Sequence, residues 1–139
     1  MYTNSLYTMA GTSLNENRIG LLIWQTSNLW QSKIRNTISN FNISFNEYLI
    51  LETIYNLSEF LPDISQVDIV RHSFIDKSVV SAKLTQLNKK KLINKMIPND
   101  NRSNKLILTK EGNNIVEKII NDVNDTENVF FSKLNQETF

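Results

Sequence analysis

The fifteen Lys and Arg residues of this 139-residue chain are unevenly spread. Nine of them, Lys77, Lys83, Lys89, Lys90, Lys91, Lys95, Arg102, Lys105 and Lys110, fall in one stretch that holds a single acid, Asp100. That stretch carries +8, whereas the six basic and thirteen acidic residues elsewhere leave −7, so a net charge of +1 conceals a polarised molecule. Such polarity is what a protein needs when one face meets phosphate and another does not, although a solvated lysine-rich surface would produce the same count. Other chemistries lack their residues. There is no Cys, which excludes a disulfide framework, a thiolate metal site and a thiol redox switch. His72 is the only histidine, and zinc ligation or acid–base catalysis usually needs Cys, more His or convergent carboxylates beside it. Three glycines leave little room for a phosphate-cradling loop, and no nucleophile elbow or paired-carboxylate motif is present. A binding protein is expected rather than an enzyme, with no cofactor and no metal. The N-terminus lacks a basic, then apolar, secretory leader, and no stretch reaches the roughly 18 apolar residues of a membrane span, so a cytoplasmic protein without membrane contact is expected.

The elements that must position the basic stretch are marked by their helix starts. Ser13-Leu14-Asn15-Glu16 has capping-box spacing, and Ile19, Leu22, Ile23, Leu29, Trp30, Ile34, Ile38 and Phe41 follow at helical intervals, predicting a long amphipathic first helix. Ser44-Phe45-Asn46-Glu47 repeats the box, with Ile43 and Tyr48 at staple positions, and opens a second helix ending near Ser58. Beyond Pro62, Ser65 to Asp68 opens a short third helix, and Asp76 N-caps a fourth that runs to about Lys89. In the fourth, Val80, Leu84 and Leu87 share one face while Ser78, Ala82 and Thr85 project from the other. The pattern then turns β-prone over Ile93 to Ile97 and Leu106 to Leu108, around the polar turn cluster between Pro98 and Asn104. Thr109 caps a last long helix with an apolar stripe from Ile115 to Leu134, and Asn135 is placed to cap one further turn.

A short helix, a tight connection, a second helix with a small polar outer face and a hairpin with a basic tip form a helix-turn-helix followed by a wing. The predicted class is therefore mainly α with a small β-hairpin wing. The major groove of B-DNA is about 12 Å wide and admits one helix, provided that helix has one face packed and another free of acidic bulk. The segment from Asp76 to Lys89 meets that condition. Arg102, in the tip run that includes Asn101, Ser103 and Lys105, can reach phosphate or the negative potential of an A·T-rich minor groove, with Asp100 placed to orient its guanidinium.

The tip and its sequel, Asp100-Asn-Arg102 followed by Leu108-Thr109-Lys-Glu-Gly112, resemble the wing signature of the MarR (multiple antibiotic resistance regulator) family at all five signature positions. Upstream, Ser65-Gln66 resembles the family's "TQ" helix start, Ile75-Asp76-Lys77-Ser78-Val79-Val80-Ser81 its "LDKSTVS" recognition-helix entry, and Leu87 to Ile93 its "LEKKGLI". With the terminal helices included, the resemblance spans nearly the whole chain. It implies a single winged-helix domain over 1–139, in which 43–112 bind DNA while 1–42 and 113–139 supply the long N- and C-terminal helices of a homodimer. It implies double-stranded DNA as partner, with recognition helices in successive major grooves of a palindrome and wings in the flanking minor grooves, and a repressor's role. It also suggests a pocket for a small aromatic effector, for which Trp24, Trp30, Tyr48 and Tyr55 are the candidate lining, with core packing as their other reading.

Departures from the family pattern fall on the reading surface. Ala82 stands where Arg is frequent and Val79 where Thr is, so bidentate Arg readout of guanine is unavailable there. Val79 and Ala82 suit thymine methyls, Gln86 suits adenine, and the hydroxyls of Ser78 and Thr85 suit either base, which predicts an A·T-rich operator. Ser65, Gln66, Lys77, Ser81 and Lys83 complete the expected DNA contacts, the lysines on phosphate. Phe74 and Lys91 occupy positions where the family has Gly, and both positions favour a left-handed backbone. With Ala82 and the modest total charge, Phe74 motivates an alternative: a winged-helix protein-interaction module or antagonist that has lost base readout.

Overall fold

The computed structural model describes residues 18–96 and 105–138. Its elements run α1 (Ile19–Ile38), a 3-10 turn (Ser39–Phe41), α2 (Phe45–Leu57), α3 (Gln66–Ser73), α4 (Lys77–Lys89), β1 (Ile93–Met96), β2 (Lys105–Leu108) and α5 (Lys110–Thr138). This is the expected mainly helical chain with one hairpin. The Ser13–Glu16 box, Ile97 and the wing tip lie outside the described residues.

Local chemistry fixes the helix starts. Ser44 and Ser65 each form a complete capping box, with Glu47 and Asp68 as reciprocal acids. Asp76 accepts from the Ser78 amide at 3.0 Å, and the Thr109 hydroxyl accepts from the Gly112 amide at 3.0 Å. One expectation is corrected at the far end: α5 continues through Asn135 to Thr138 without interruption. Asn has only a mild helix penalty, so its preference for caps does not stop a helix already propagating.

The chain divides into two compact units, one of residues 38–121 and one of residues 1–37 with 122–139. In the first, α2 packs on α3, α4 and β2, and α4 packs on β1. Ile50, Leu51, Ile54, Ile69, Val80, Leu84, Leu87, Ile93 and Ile119 are fully buried and form its core. The strands pair antiparallel with Ile93 opposite Leu108 and Met96 opposite Lys105. A further bond from the Leu106 amide to the Ile64 carbonyl, 2.8 Å, fastens β2 to the loop before α3. In the second unit, Ile34 and Val123 are buried, the Trp30 indole donates to Glu127 at 2.8 Å, and the hydroxyls of Thr37 and Thr126 lie 2.7 Å apart. Ile19, Ile23, Trp24, Val129 and Phe131 are exposed there. Among the described residues, no helix is long and apolar enough to cross a membrane.

Candidate nucleic-acid interface

The two faces of α4 separate cleanly. Val80, Leu84 and Leu87 are completely buried, whereas Ser78, Ser81, Ala82, Thr85, Gln86 and Lys89 are exposed and Val79 and Lys83 half-buried. At about 100° per residue, Ala82 lies opposite the buried stripe, with Ser78, Thr85 and Lys89 on the same line. Lys89 was not among the expected contacts. Its position three and four residues beyond Gln86 and Thr85 is the signal that would have found it.

Several hydroxyls on this face already have protein partners, which changes what they can offer a base. The Ser78 hydroxyl donates to the Asp76 carboxylate, and the Thr85 hydroxyl donates to the Ser81 carbonyl at 3.1 Å. With their protons engaged, both present lone pairs outward and are suited to accept from adenine or cytosine amino groups. Lys83 reaches Gln86 at 3.4 Å along the same helix. The bonds from Ser78, first its side chain and then its backbone, hold the Asp76 carboxyl below the usual carboxylate range. A charged Asp76 therefore stabilises the positive N-terminal end of α4.

Both substituted glycine positions keep the left-handed backbone. Phe74 has φ 61° and ψ 16° at the C-terminus of α3, and its ring is 92% exposed. Lys91 has φ 62° and follows α4, where the Leu92 amide bonds the Leu87 carbonyl and the Lys91 amide bonds that of Asn88. That is a Schellman closure with lysine in the place glycine usually takes. The turns have not been rebuilt around the larger residues.

The end of α4 is fastened on two sides. The Thr109 amide and hydroxyl donate to the Leu92 and Lys91 carbonyls at 3.0 and 2.8 Å. Gly112 fits directly over this joint, since a Cβ there would stand 1.9 Å from the Leu92 carbonyl oxygen. The signature glycine is thus required by a close backbone approach. On the other side, the Lys90 ammonium donates to the Asn42 carbonyl at 2.8 Å and to Glu47 at 2.9 Å. Glu47 is 2% exposed, and although burial opposes its ionisation, the Ser44 amide and Lys90 together hold its carboxyl below the ordinary value. Lys90 is therefore engaged within the protein, and the +8 tally overstates the charge facing outward, whereas Lys105 pairs at 3.0 Å with Asp63 on the surface.

The Ser65 hydroxyl is likewise occupied by its cap, accepting from the Asp68 amide at 3.2 Å and donating to its carboxylate at 3.0 Å, while Gln66 is half-buried. Asp100, Asn101, Arg102 and Ser103 lie outside the described residues. Of the aromatic candidates, Tyr48 is a core residue whose hydroxyl donates to Glu52 at 3.0 Å, and Tyr55 donates to Glu117 at 3.1 Å. Trp24 is 63% exposed and Trp30 is half-buried against Glu127. No group of three or more His, Cys, Asp or Glu suited to a metal occurs among the described residues.

No protein-family model matches the chain. Solved structures do. A MepR–DNA complex from S. aureus superposes with a TM-score of 0.73 at 23% identity, over 85% of this chain and 84% of that one. Wild-type MarR from E. coli gives 0.70 at 21%, over 81% and 82%. BpsR of Bordetella bronchiseptica, whose DNA binding is regulated by 6-hydroxynicotinic acid, gives 0.72 at 19%, over 86% and 83%. The helix pair, hairpin and long terminal helices thus compose a winged helix-turn-helix. In particular, the chain has the fold of the MarR-type regulators.

Proposed function

We propose that this protein is a DNA-binding transcription regulator that places α4 in the major groove. The observation that carries the reading is the helix itself: one face wholly buried, the opposite face exposed, free of acids and built from side chains that suit A·T pairs. Ser78, Val79, Ala82, Thr85 and Gln86 would meet base edges. Gln66, Lys77, Ser81, Lys83 and Lys89 would meet the backbone, and Asn101, Arg102, Ser103 and Lys105 the flanking minor groove. Ser65 acts through its cap on the start of α3.

The active form is a homodimer held by residues 1–42 and 113–139, with 43–112 as the DNA-binding part. The exposed Ile19, Ile23, Trp24, Val129 and Phe131 support this division, because a second copy would remove them from water. The protein acts in the cytoplasm as a repressor of an A·T-rich palindrome. A small aromatic effector that releases the DNA fits the exposed Trp24 and the regulated DNA binding of BpsR.

Selection from a random duplex library, followed by anisotropy over a salt series, tests the reading. Enrichment of an A·T-rich palindrome with a steep salt slope is expected, and Arg102→Ala should weaken binding at least tenfold. Sequence-blind, weak binding would instead favour a protein-interaction module. The almost fully exposed Phe74 at the end of α3, together with Val67 at 62% exposure in its first turn, supports that second reading.

A further inference from the structure

Lys90 belongs to the basic stretch, yet its ammonium is turned into the protein. It sits 2.8 Å from the Asn42 carbonyl and 2.9 Å from Glu47 Oε1. Glu47 Oε1 also accepts the Ser44 amide at 2.9 Å, whereas its Oε2 is buried without a hydrogen-bond partner. Asn42 is itself in the left-handed region, at the end of the 3-10 turn through which α1 enters the winged-helix unit. One cation therefore joins three pieces of backbone: the C-terminus of α4, the turn after α1 and the capped start of α2.

A carboxylate at 2% exposure with one unpartnered oxygen is a costly group to retain for stability alone, since an apolar pair of similar volume commonly packs as well. What a buried ion pair supplies and an apolar pair does not is a single geometry. Helix α4 is about 20 Å long, so a tilt of about 3° at its anchored end moves the far end by roughly 1 Å. Contacts that discriminate between bases tolerate about half that displacement.

We infer that Lys90 and Glu47 are positioning residues for DNA reading: their ion pair fixes the pitch of α4, and through it the selectivity for operator over other DNA, without touching DNA. The inference rests on the regulator reading above. It separates Lys90 from Lys77, Lys83 and Lys89, whose charges act on phosphate.

The pair and a phosphate contact predict opposite results. Binding of the selected operator and of a random duplex is measured by anisotropy over a salt series, for the parent chain, Lys90→Met, Lys90→Arg, Glu47→Gln and the double variant. Melting by circular dichroism confirms that each is folded at the assay temperature. Lys90→Met should lower the operator-to-random ratio about tenfold while the salt slope stays at the parent value. Glu47→Gln, a near-isosteric change at a residue too buried to reach DNA, should lower the ratio as much, and the double variant should be no worse than either. Lys90→Arg, which keeps a donor for both oxygens, should stay within about twofold of the parent.

A uniform loss on both duplexes with the slope reduced by about 0.9 for Lys90→Met, and no loss for Glu47→Gln, would make Lys90 a phosphate contact and overturn the inference. Unchanged ratios in every folded variant would overturn it equally. A parent chain that distinguishes no duplex from any other would remove the regulator reading, and this inference with it. That outcome is recognisable because it appears before any substitution is made.

Discussion

The two turns that flank α4 make the same backbone demand and meet it in different surroundings. Phe74 and Lys91 are both left-handed, at φ 61° and 62°, and both stand where a glycine would be unstrained. Around Lys91 every neighbour is fastened: the Schellman bonds close α4, Thr109 holds two carbonyls, Gly112 presses on Leu92, and Lys90 grips α2. Around Phe74 the bonds are local, the Phe74 amide to the Val70 carbonyl and the Ile75 amide to the Ser73 hydroxyl at 3.2 Å, and the residue itself is almost fully exposed. The helix is thus held by tertiary bonds at its C-terminal end and by local ones alone, the Asp76 cap included, at the turn before it. The same strain is absorbed by tertiary structure at one end and carried by the local chain at the other.

The largest effect should come from breaking the fastened end. Gly112→Ala puts a methyl carbon into the Leu92 carbonyl, and since both partners are backbone, the start of α5 must separate from the end of α4. A loss of about 3 kcal/mol or more is expected in urea unfolding. Relieving strain at the open end should show the opposite sign. Phe74→Gly should stabilise by about 1 kcal/mol, because an exposed ring gives up little burial while the left-handed penalty disappears. Lys91→Gly should gain less, about 0.5 kcal/mol, since the surrounding bonds already enforce that backbone and glycine adds freedom to the unfolded chain.

The smallest effect separates the two ends by pH. Glu47 near the fastened end and Asp76 at the open end both have carboxyls held below their ordinary values in the folded chain. Each therefore adds stability that is complete above the unfolded-state value and is lost as pH falls through the lowered folded one. Acid titration of Tm should show a weaker acid loss for Glu47→Gln than for the parent. Asp76→Asn should change that loss less, its carboxylate being exposed. An equal change from both would show that burial at the fastened end has no energetic consequence.

Legibility from sequence divides along similar lines. The starts of α2, α3, α4 and α5 were readable because a cap is a bargain among residues within four positions of one another. The left-handed turns at Phe74 and Lys91 were readable through the glycines expected there. The Lys90–Glu47 and Lys105–Asp63 pairs were not, because each joins residues some forty positions apart and any exposed lysine looks alike in a sequence. Counting Lys90 among the outward charges was the result. The hydroxyls of Ser65 and Ser78 were expected at DNA, but each also serves a cap one turn of chain away, and composition does not reveal which use prevails. Continuation of α5 past Asn135 was missed because a cap preference was weighed without the cooperative helix behind it.

The bond from Leu106 to Ile64 makes the hairpin tolerant of change in its side chains. It anchors β2 to the loop before α3, while Thr109 anchors the start of α5 to the residues that close α4. Both attachments include bonds between backbone atoms, Leu106 to Ile64 and Thr109 to Leu92. Side chains of β1 and β2 can therefore change without loosening these backbone attachments, and α4 keeps its place while they do.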